Sequence, residues 1–363
     1  MASIGLDASY IFGAYPTGSA TYSRRLIESL AELDTSHHFV ICYRMSRLPK
    51  RREFLRPPGT STRMMTFWRP WRTDLFHSLA QRAPSFRFRR EVVTIHDIFP
   101  ITGPDYSTPQ YRRKFSAVVR EAARRAGRIV TGSQYTAGLL QSECGVEAER
   151  IRVTPYGVDL PAQTISPEQR LRERERVVGK GNQMLLTVGM LETRKNVVNA
   201  LRALKLLPER YHLLLVGGDG YGHEAIHAFI AGQRLEARVH RSGYVPASRL
   251  GTFYQSASAL LFPSLEEGFG FPVLEAMAYG LPVVTSNTSS IPEVGGDAAL
   301  YADPHDPCAI ASQVVRAVES PAVREGMVAQ GLARARGFTW QRTARQTLQV
   351  YDELLGGGAS TLR

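Results

Sequence analysis

Short apolar runs alternate with amphipathic helical stretches along nearly the whole chain, and that alternation restricts it to a layered α/β architecture built on parallel sheets. The first half carries SIGLDA (3–8), HFVICY (38–43), EVVTIHDI (91–98), GRIVTGS (127–133) and RIRVTPYGV (150–158). A second set follows: QMLLTVGML (183–191), YHLLLVGGDG (211–220), ARVHRSGYV (237–245), ASALLFPS (257–264), LPVVTSN (281–287) and, as a short edge strand, DAALYADP (297–304). With 363 residues the chain is too long for one ordinary core and suits two domains. The charged, proline-containing stretch 161–181 is taken as their boundary, giving a first domain over 1–165 and a second over 166–339. GFTWQRTARQTLQVYDELL (337–355) reads as a final helical region. Two doubly wound domains place ligands at the carboxyl ends of their strands.

Composition excludes several classes. A 43% hydrophobic and 21% charged chain is that of a soluble globular protein. No apolar run reaches the roughly 20 residues needed to cross a bilayer. The start, MASIGLDASYIFGAYPTG, lacks the basic residues of a secretory leader, so a cytoplasmic setting is expected. Cys42, Cys144 and Cys308 are far apart and without metal-ligand spacing, and read as reduced, mostly buried thiols. The net charge of +12 is concentrated: residues 44–128 hold 20 Lys+Arg against 6 acids. Such a patch attracts anionic surfaces, whether lipid, lipid diphosphate or nucleic acid. Two glycine-rich stretches fail as nucleotide fingerprints. VGGDGYGHE (216–224) has His223 where a dinucleotide loop needs its third glycine, and GKG (179–181) lacks the remainder of a P-loop.

The chemistry concentrates in EEGFGFPVLEA (266–276), which follows the strand ALLFPS. Gly268 and Gly270 let the backbone approach a ligand closely, with Phe269 and Gly270 as candidate N–H donors, and the helix that follows favours a diphosphate at its start. Pro272 suits the first helical position, and Glu275 is expected in the first turn, where a carboxylate can accept two hydrogen bonds from a vicinal diol such as ribose. Glu267, before the turn, would meet the ligand beyond its phosphates. A nucleoside diphosphate carrying a sugar fits that order. Glu266 reads as a solvated neighbour and Asp97 as an orienting or capping group.

With those residues in view, the chain resembles the retaining glycosyltransferases of family 4, which have the GT-B fold. The resemblance rests on the E-x7-E motif EGFGFPVLE (267–275) and on an ordered set of landmarks: YPTGSATYSRRL, VVTIHDIFP, RIVTGSQYT, IRVTPYGVD, TVGMLETRKN and RSGYV. It covers nearly the whole chain. It implies two Rossmann-like domains, an N-terminal one for the acceptor and a C-terminal one for the donor, with the last helix, about 340–356, crossing back to the first. It gives Glu275 the donor ribose, Glu267 the hydroxyls of the transferred sugar, and Arg194 and Lys195 the donor diphosphate. It brings the Gly18 backbone near the phosphates and His96 near the donor sugar. Cations fixed at the leaving phosphate stabilise the transition state more than the ground state. Where many members carry arginine, this chain has Met190. The GMLETRKN variant looks most like mannosyltransferases that use GDP-mannose.

The expected function is therefore transfer of a hexose from a nucleotide sugar to a glycan or lipid-linked acceptor, in cell-surface polysaccharide or lipopolysaccharide synthesis. No cofactor or metal is expected, because no D-x-D pair occurs. Two alternatives stay open: a GT-B-type nucleotide-sugar epimerase, and a non-enzymatic nucleic-acid-binding protein suggested by the pI near 9.8. The second lacks a recognition helix, RNP motif or zinc knuckle, so no nucleic-acid partner is expected. The helix YRRKFSAVVREAARRA (111–126) is expected to pack its apolar face on the first sheet and show its basic face to water, where it could touch anionic headgroups. Trp340 and Tyr351 are expected as packing residues.

Overall fold

The computed structural model describes residues 1–12, 17–44, 54, 56–65, 73–84 and 86–356. The chain divides into two compact units. The first comprises Met1–Pro104, Thr108–Gly157 and Phe338–Arg363, and the second Asp105–Ser107 and Val158–Gly337. Among the described residues each holds one wholly parallel sheet flanked by helices, a Rossmann-like arrangement.

In the first unit, β1 (Ser3–Asp7), β2 (His38–Arg44), β3 (Ser61–Met65), β4 (Leu75–Ser78), β5 (Glu91–Thr94), β6 (Arg128–Thr131) and β7 (Ile151–Val153) lie in the order β3-β2-β1-β4-β5-β6-β7. The sequence reading missed two of them. STRMM, in β3, is an edge strand with three exposed residues and so lacks an apolar run. LFHS, in β4, is four residues long and ends in polar His77-Ser78, although every residue of it is buried.

His77 is tolerated inside because both ring nitrogens are paired, Nδ1 with the Tyr351 hydroxyl at 2.6 Å and Nε2 with Thr94 Oγ1 at 2.8 Å. Thr94 in turn meets the Tyr22 hydroxyl at 3.0 Å. Burial holds the His77 pKa down at about 3, so the ring is neutral. This buried polar chain ties the C-terminal helix Trp340–Leu355 to β4, β5 and the helix Gly18–Ala31. Trp340 and Tyr351 are 5% and 0% exposed, which makes them packing residues. Gly157 marks how closely the returning chain sits: a Cβ there would fall 2.4 Å from the Trp340 backbone nitrogen.

The helix Pro109–Arg125 buries Phe115, Val119, Ala122 and Ala123 against Val93 and Ile129 of the sheet. Its basic face is less uniform than the sequence suggested. Arg113, Lys114, Arg120 and Arg124 are exposed, whereas Arg125 is turned inward onto Glu91 at 2.5 Å and onto the carbonyls of Pro84 and Phe86. Many of the other basic residues of 44–128 lie outside the described residues.

In the second unit, β8 (Gln183–Val188), β9 (Tyr211–Val216), β10 (Val239–Gly243), β11 (Ala259–Phe262), β12 (Val283–Ser286) and β13 (Leu300–Ala302) lie in the order β10-β9-β8-β11-β12-β13. β13 is the expected edge strand. Leu185, Leu201, Leu204, Leu213, Leu215, Leu261 and Val314, each 0% exposed, centre its core. The charged stretch 161–181 folds, over Pro167–Val178, as a helix within this unit. Ser166 and Gln169 form a capping box at its start, with proline at the first position, so local capping outweighs its polar composition. The cysteines are free, but only Cys42 is buried; Cys144 is half-buried and Cys308 exposed. No helix of the described residues is long and apolar enough to cross a membrane.

Candidate functional site

The strand order of the second sheet reverses between β8 and β11, so the loops leaving their carboxyl ends start side by side. The loop after β8 carries Arg194 and Lys195 in a single tight turn, Thr193–Lys195. Asn196 ends that turn with φ 56°, a left-handed conformation that asparagine adopts more readily than most residues. Its side-chain amide donates to the carbonyls of Pro263 at 3.0 Å and Pro304 at 2.7 Å. The Leu265 N–H donates to the Arg194 carbonyl at 2.9 Å. The two loops are thereby fixed to each other before any side chain of the site is placed.

Glu267 lies buried between the two cations. Lys195 Nζ donates to Oε1 at 2.6 Å and Arg194 Nη1 reaches Oε2 at 3.0 Å, while the Ser264 hydroxyl donates to Oε1 at 2.6 Å. Burial opposes ionisation of Glu267, but the Arg194 and Lys195 charges outweigh it and hold the carboxyl down at about 2. Arg194 is strongly engaged: Nη1 also donates to the Glu266 carbonyl at 2.5 Å, and Nη2 to Glu192 Oε2 at 3.3 Å. The Lys195 ammonium rests 4.8 Å from the centre of the Phe262 ring. Burial lowers the Lys195 pKa from its ordinary value; the Glu267 charge works against that shift, and the Arg194 charge with it.

Glu275 is the fifth residue of the helix Phe271–Ala278 and lies beyond its first turn, contrary to expectation. The reason is Gly270: at φ 103° it caps the helix, which then begins at Phe271 and places Pro272 second. The helix dipole contributes little that far in, and a side chain holds Glu275 instead. The Tyr254 hydroxyl donates to its Oε2 at 2.7 Å, with the Tyr254 ring stacked on Tyr279 at 5.3 Å and 13°. Burial raises the Glu275 pKa, and the Tyr254 bond opposes that rise. Lys195 lowers the pKa of both Glu267 and Glu275, so one ammonium acts on both carboxylates of the motif.

Between these acids, Gly268 is half-buried, and buried Phe269 sets its ring edge-on to Phe271 at 5.2 Å. Four hydroxyls of TSNTSS (285–290) hold the adjoining backbone. Ser286 donates to the Ser264 carbonyl, Thr288 to that of Leu265 and Ser290 to that of Glu267, while Ser289 accepts from the Glu267 N–H. Sequence reasoning missed these hydroxyls, Ser264, Asn196 and Tyr254. The dense Ser/Thr run just past a strand end was the available signal. Glu266, read as solvated, is 7% exposed.

Gly18 and His96 belong to the first unit. Gly18 is the exposed first residue of the helix Gly18–Ala31, whose N-cap is Thr17; the loop residues 13–16 before it lie outside the described residues. His96 follows β5, with Nδ1 2.8 Å from the Tyr156 hydroxyl and Nε2 3.1 Å from the Leu79 carbonyl. A carbonyl can only accept, so Nε2 carries the proton and Nδ1 accepts from Tyr156. Burial holds the His96 pKa down at about 4 and the ring neutral. Both nitrogens are engaged, so a substrate would have to displace one of these bonds to reach the ring.

A parallel sheet with a charged cluster at its switch point is an architecture that binds ligands at the strand ends, and comparison with known proteins gives the family. The chain matches the family models "Glycosyltransferase Family 4" over residues 16–161 and "Glycosyl transferases group 1" over residues 169–334. It is 32% identical to O-antigen chain mannosyltransferase B of Escherichia coli over 78% of this chain and 77% of that protein. It is 31% identical to the D-inositol 3-phosphate glycosyltransferase of Acidothermus cellulolyticus over 63% of this chain and 54% of that one. Among solved structures, sucrose-phosphate synthase of Thermosynechococcus elongatus superposes with a TM-score of 0.79 at 21% identity, covering 98% of this chain and all of that one. An Anabaena protein in complex with UDP and glucose gives 0.77 at 17% identity, with the same coverage. The chain belongs to the group 1 glycosyltransferases, family 4, and has the GT-B fold.

The ion cluster makes stability depend on pH. The Glu267 carboxyl sits at about 2 in the folded protein against an ordinary 4.5, so its ionised form favours the folded state. A depressed carboxyl pKa gives stability that is complete above 4.5 and lost as pH falls through about 2. The difference in unfolding free energy between wild type and Glu267→Gln, followed by denaturant titration, is therefore expected to be full at neutral pH and to shrink below pH 4.5. A difference that does not change with pH would contradict the assignment.

Proposed function

We propose that this glycosyltransferase transfers a hexose, with mannose from GDP-mannose the best candidate, to a glycan or lipid-linked acceptor in the assembly of a cell-surface polysaccharide or lipopolysaccharide. The arrangement of Lys195, Arg194 and Glu267 carries this reading, and the O-antigen mannosyltransferase relative supports the choice of sugar. The donor would lie along the second unit's switch point, its ribose on Glu275 and its diphosphate at the cation pair. Lys195 has three N–H bonds, one of which goes to Glu267, so it retains donors for phosphate oxygens. Arg194, held to Glu192, the Glu266 carbonyl and Glu267, mainly fixes the cluster in place. Negative charge grows on the leaving phosphate as the glycosidic bond breaks, and Lys195 would stabilise it there, with no metal required at the diphosphate. Glu267, kept ionised, would accept hydroxyls of the sugar and position it. The carboxylate of Glu267 is clamped by three donors and poorly placed to act as a nucleophile. Attack by the acceptor on the face that the phosphate leaves would then give retention.

Product analysis tests this. With GDP-mannose, UDP-glucose and ADP-glucose offered in turn without added divalent ion, mannosyl transfer is expected from the first, and NMR should find the donor's anomeric configuration in the product. Lys195→Ala is expected to lower turnover by about a hundredfold or more. Wild-type turnover in that variant, or epimerised donor without acceptor, would overturn the proposal.

Exposed charge supports a membrane-side setting for the acceptor. Arg113, Lys114, Arg120 and Arg124, exposed on the helix Pro109–Arg125, would bring the first unit to an anionic membrane surface. Sedimentation with anionic vesicles should fall with added salt and with Arg113→Glu/Arg120→Glu, and should not occur with neutral vesicles. Equal binding to both vesicle types would contradict a role for these charges.

A further inference from the structure

The loop after β9 and the helix that follows hold a cluster distinct from the residues assigned to the donor in the proposed function. The helix His223–Gly232 begins directly after Gly222, so His223 and His227 fall one turn apart on the same face. Asp219, from the preceding loop, reaches the same place. One ligand atom of each of the three residues lies within 4.8 Å of those of the other two. Asp219 Oδ1 is 3.1 Å from His227 Nε2. The Gly220 carbonyl is 2.9 Å from His223 Nδ1; it keeps the proton of the neutral ring on that nitrogen and leaves the lone pair on Nε2. A backbone carbonyl bound to the far nitrogen is the contact that orients metal-ligating imidazoles.

We propose that Asp219, His223 and His227 bind a divalent transition-metal ion of the zinc class. Two imidazoles and one carboxylate favour zinc, cobalt or nickel over magnesium or calcium, which prefer all-oxygen shells. Asp219 is exposed and both histidines are partly so, leaving the remaining coordination positions to water. Arg241 opposes the ion: its Nη2 lies 3.1 and 3.3 Å from the two Asp219 oxygens, competing for the carboxylate and repelling a cation.

The position of the cluster gives the ion a consequence. The loop bearing Asp219 is zipped to the segment that leads to Arg194 and Lys195. Leu191 N–H donates to the Gly218 carbonyl, Gly220 N–H to that of Leu191 and Thr193 N–H to that of Tyr221, at 2.9, 3.1 and 2.9 Å. The packing leaves no room for side chains: a Cβ on Gly217 would fall 1.9 Å from the Gly189 carbonyl oxygen, and one on Gly222 2.1 Å from Thr193 Oγ1. An ion that joins the loop to its helix therefore clamps the surface on which the segment before the cation pair is seated. It is a structural clamp and takes no part in group transfer, and the inference stands independently of the donor reading.

The test uses the full chain carrying Cys308→Ser, which removes an exposed thiol that could bind metal on its own. The protein is stripped with chelator, dialysed, and titrated calorimetrically with zinc, with magnesium as comparison and with cobalt followed by visible absorption. One equivalent of zinc is expected, far tighter than magnesium, together with a cobalt ligand-field band. His227→Ala and Asp219→Asn should each weaken zinc by about tenfold or more and remove the band. Arg241→Gln should tighten it, an outcome that no loss of folding can mimic. The proposal is overturned if the stripped protein takes up no zinc, if both ligand variants bind it as the parent does, or if magnesium binds equally well.

Discussion

A carboxylate buried between a guanidinium and an ammonium is costly to desolvate, and such a triad survives only where the geometry is good and the remaining hydrogen bonds are made. Glu267 meets both conditions, with Lys195 and Ser264 on one oxygen and Arg194 on the other. Much of the second unit's irregular structure serves that contact. Asn196 in its left-handed turn locks the loop after β8 to the one after β11, and the hydroxyls of 286–290 hold the backbone on which Glu267 stands. Contacts within the chain thus fix the cations in place, as the proposed stabilisation of a developing charge requires.

The first unit is held together differently. Its C-terminal helix returns from the far end of the chain and is fastened by a buried polar chain through Tyr351, His77, Thr94 and Tyr22, in which each ring or hydroxyl meets the next. His96 belongs to a second such set with Tyr156 and the Leu79 carbonyl. Both histidines are neutral for the same reason, burial, so neither adds charge to its surroundings.

The fold was legible because strands covered on both faces must be apolar throughout, and most of them were long enough to see. β3 and β4 escaped because one is a polar edge and the other is four residues long with a histidine, acceptable only because Tyr351, distant in sequence, supplies a partner. The two acids could be read because their spacing around Gly268 and Gly270 has local chemical meaning, whereas Arg194 and Lys195 were picked out only by the family resemblance. What holds them could not, since Tyr254 and the 286–290 hydroxyls reach Glu275 and the Glu267 loop only through the fold. Glu275 slipped past the first helical turn because Gly270 took the cap, and Glu266 and Arg125 are buried where composition argued for water.

The central claim is that Lys195 in this preformed triad is the phosphate-binding cation. Calorimetry of GDP against GMP, on wild type and on Lys195→Met, measures it directly, because the two ligands differ only by the terminal phosphate. The wild type should prefer GDP by about tenfold or more, the worth of a charged hydrogen bond, and the variant should lose that preference while holding GMP as before. An unchanged preference in the variant would contradict the account.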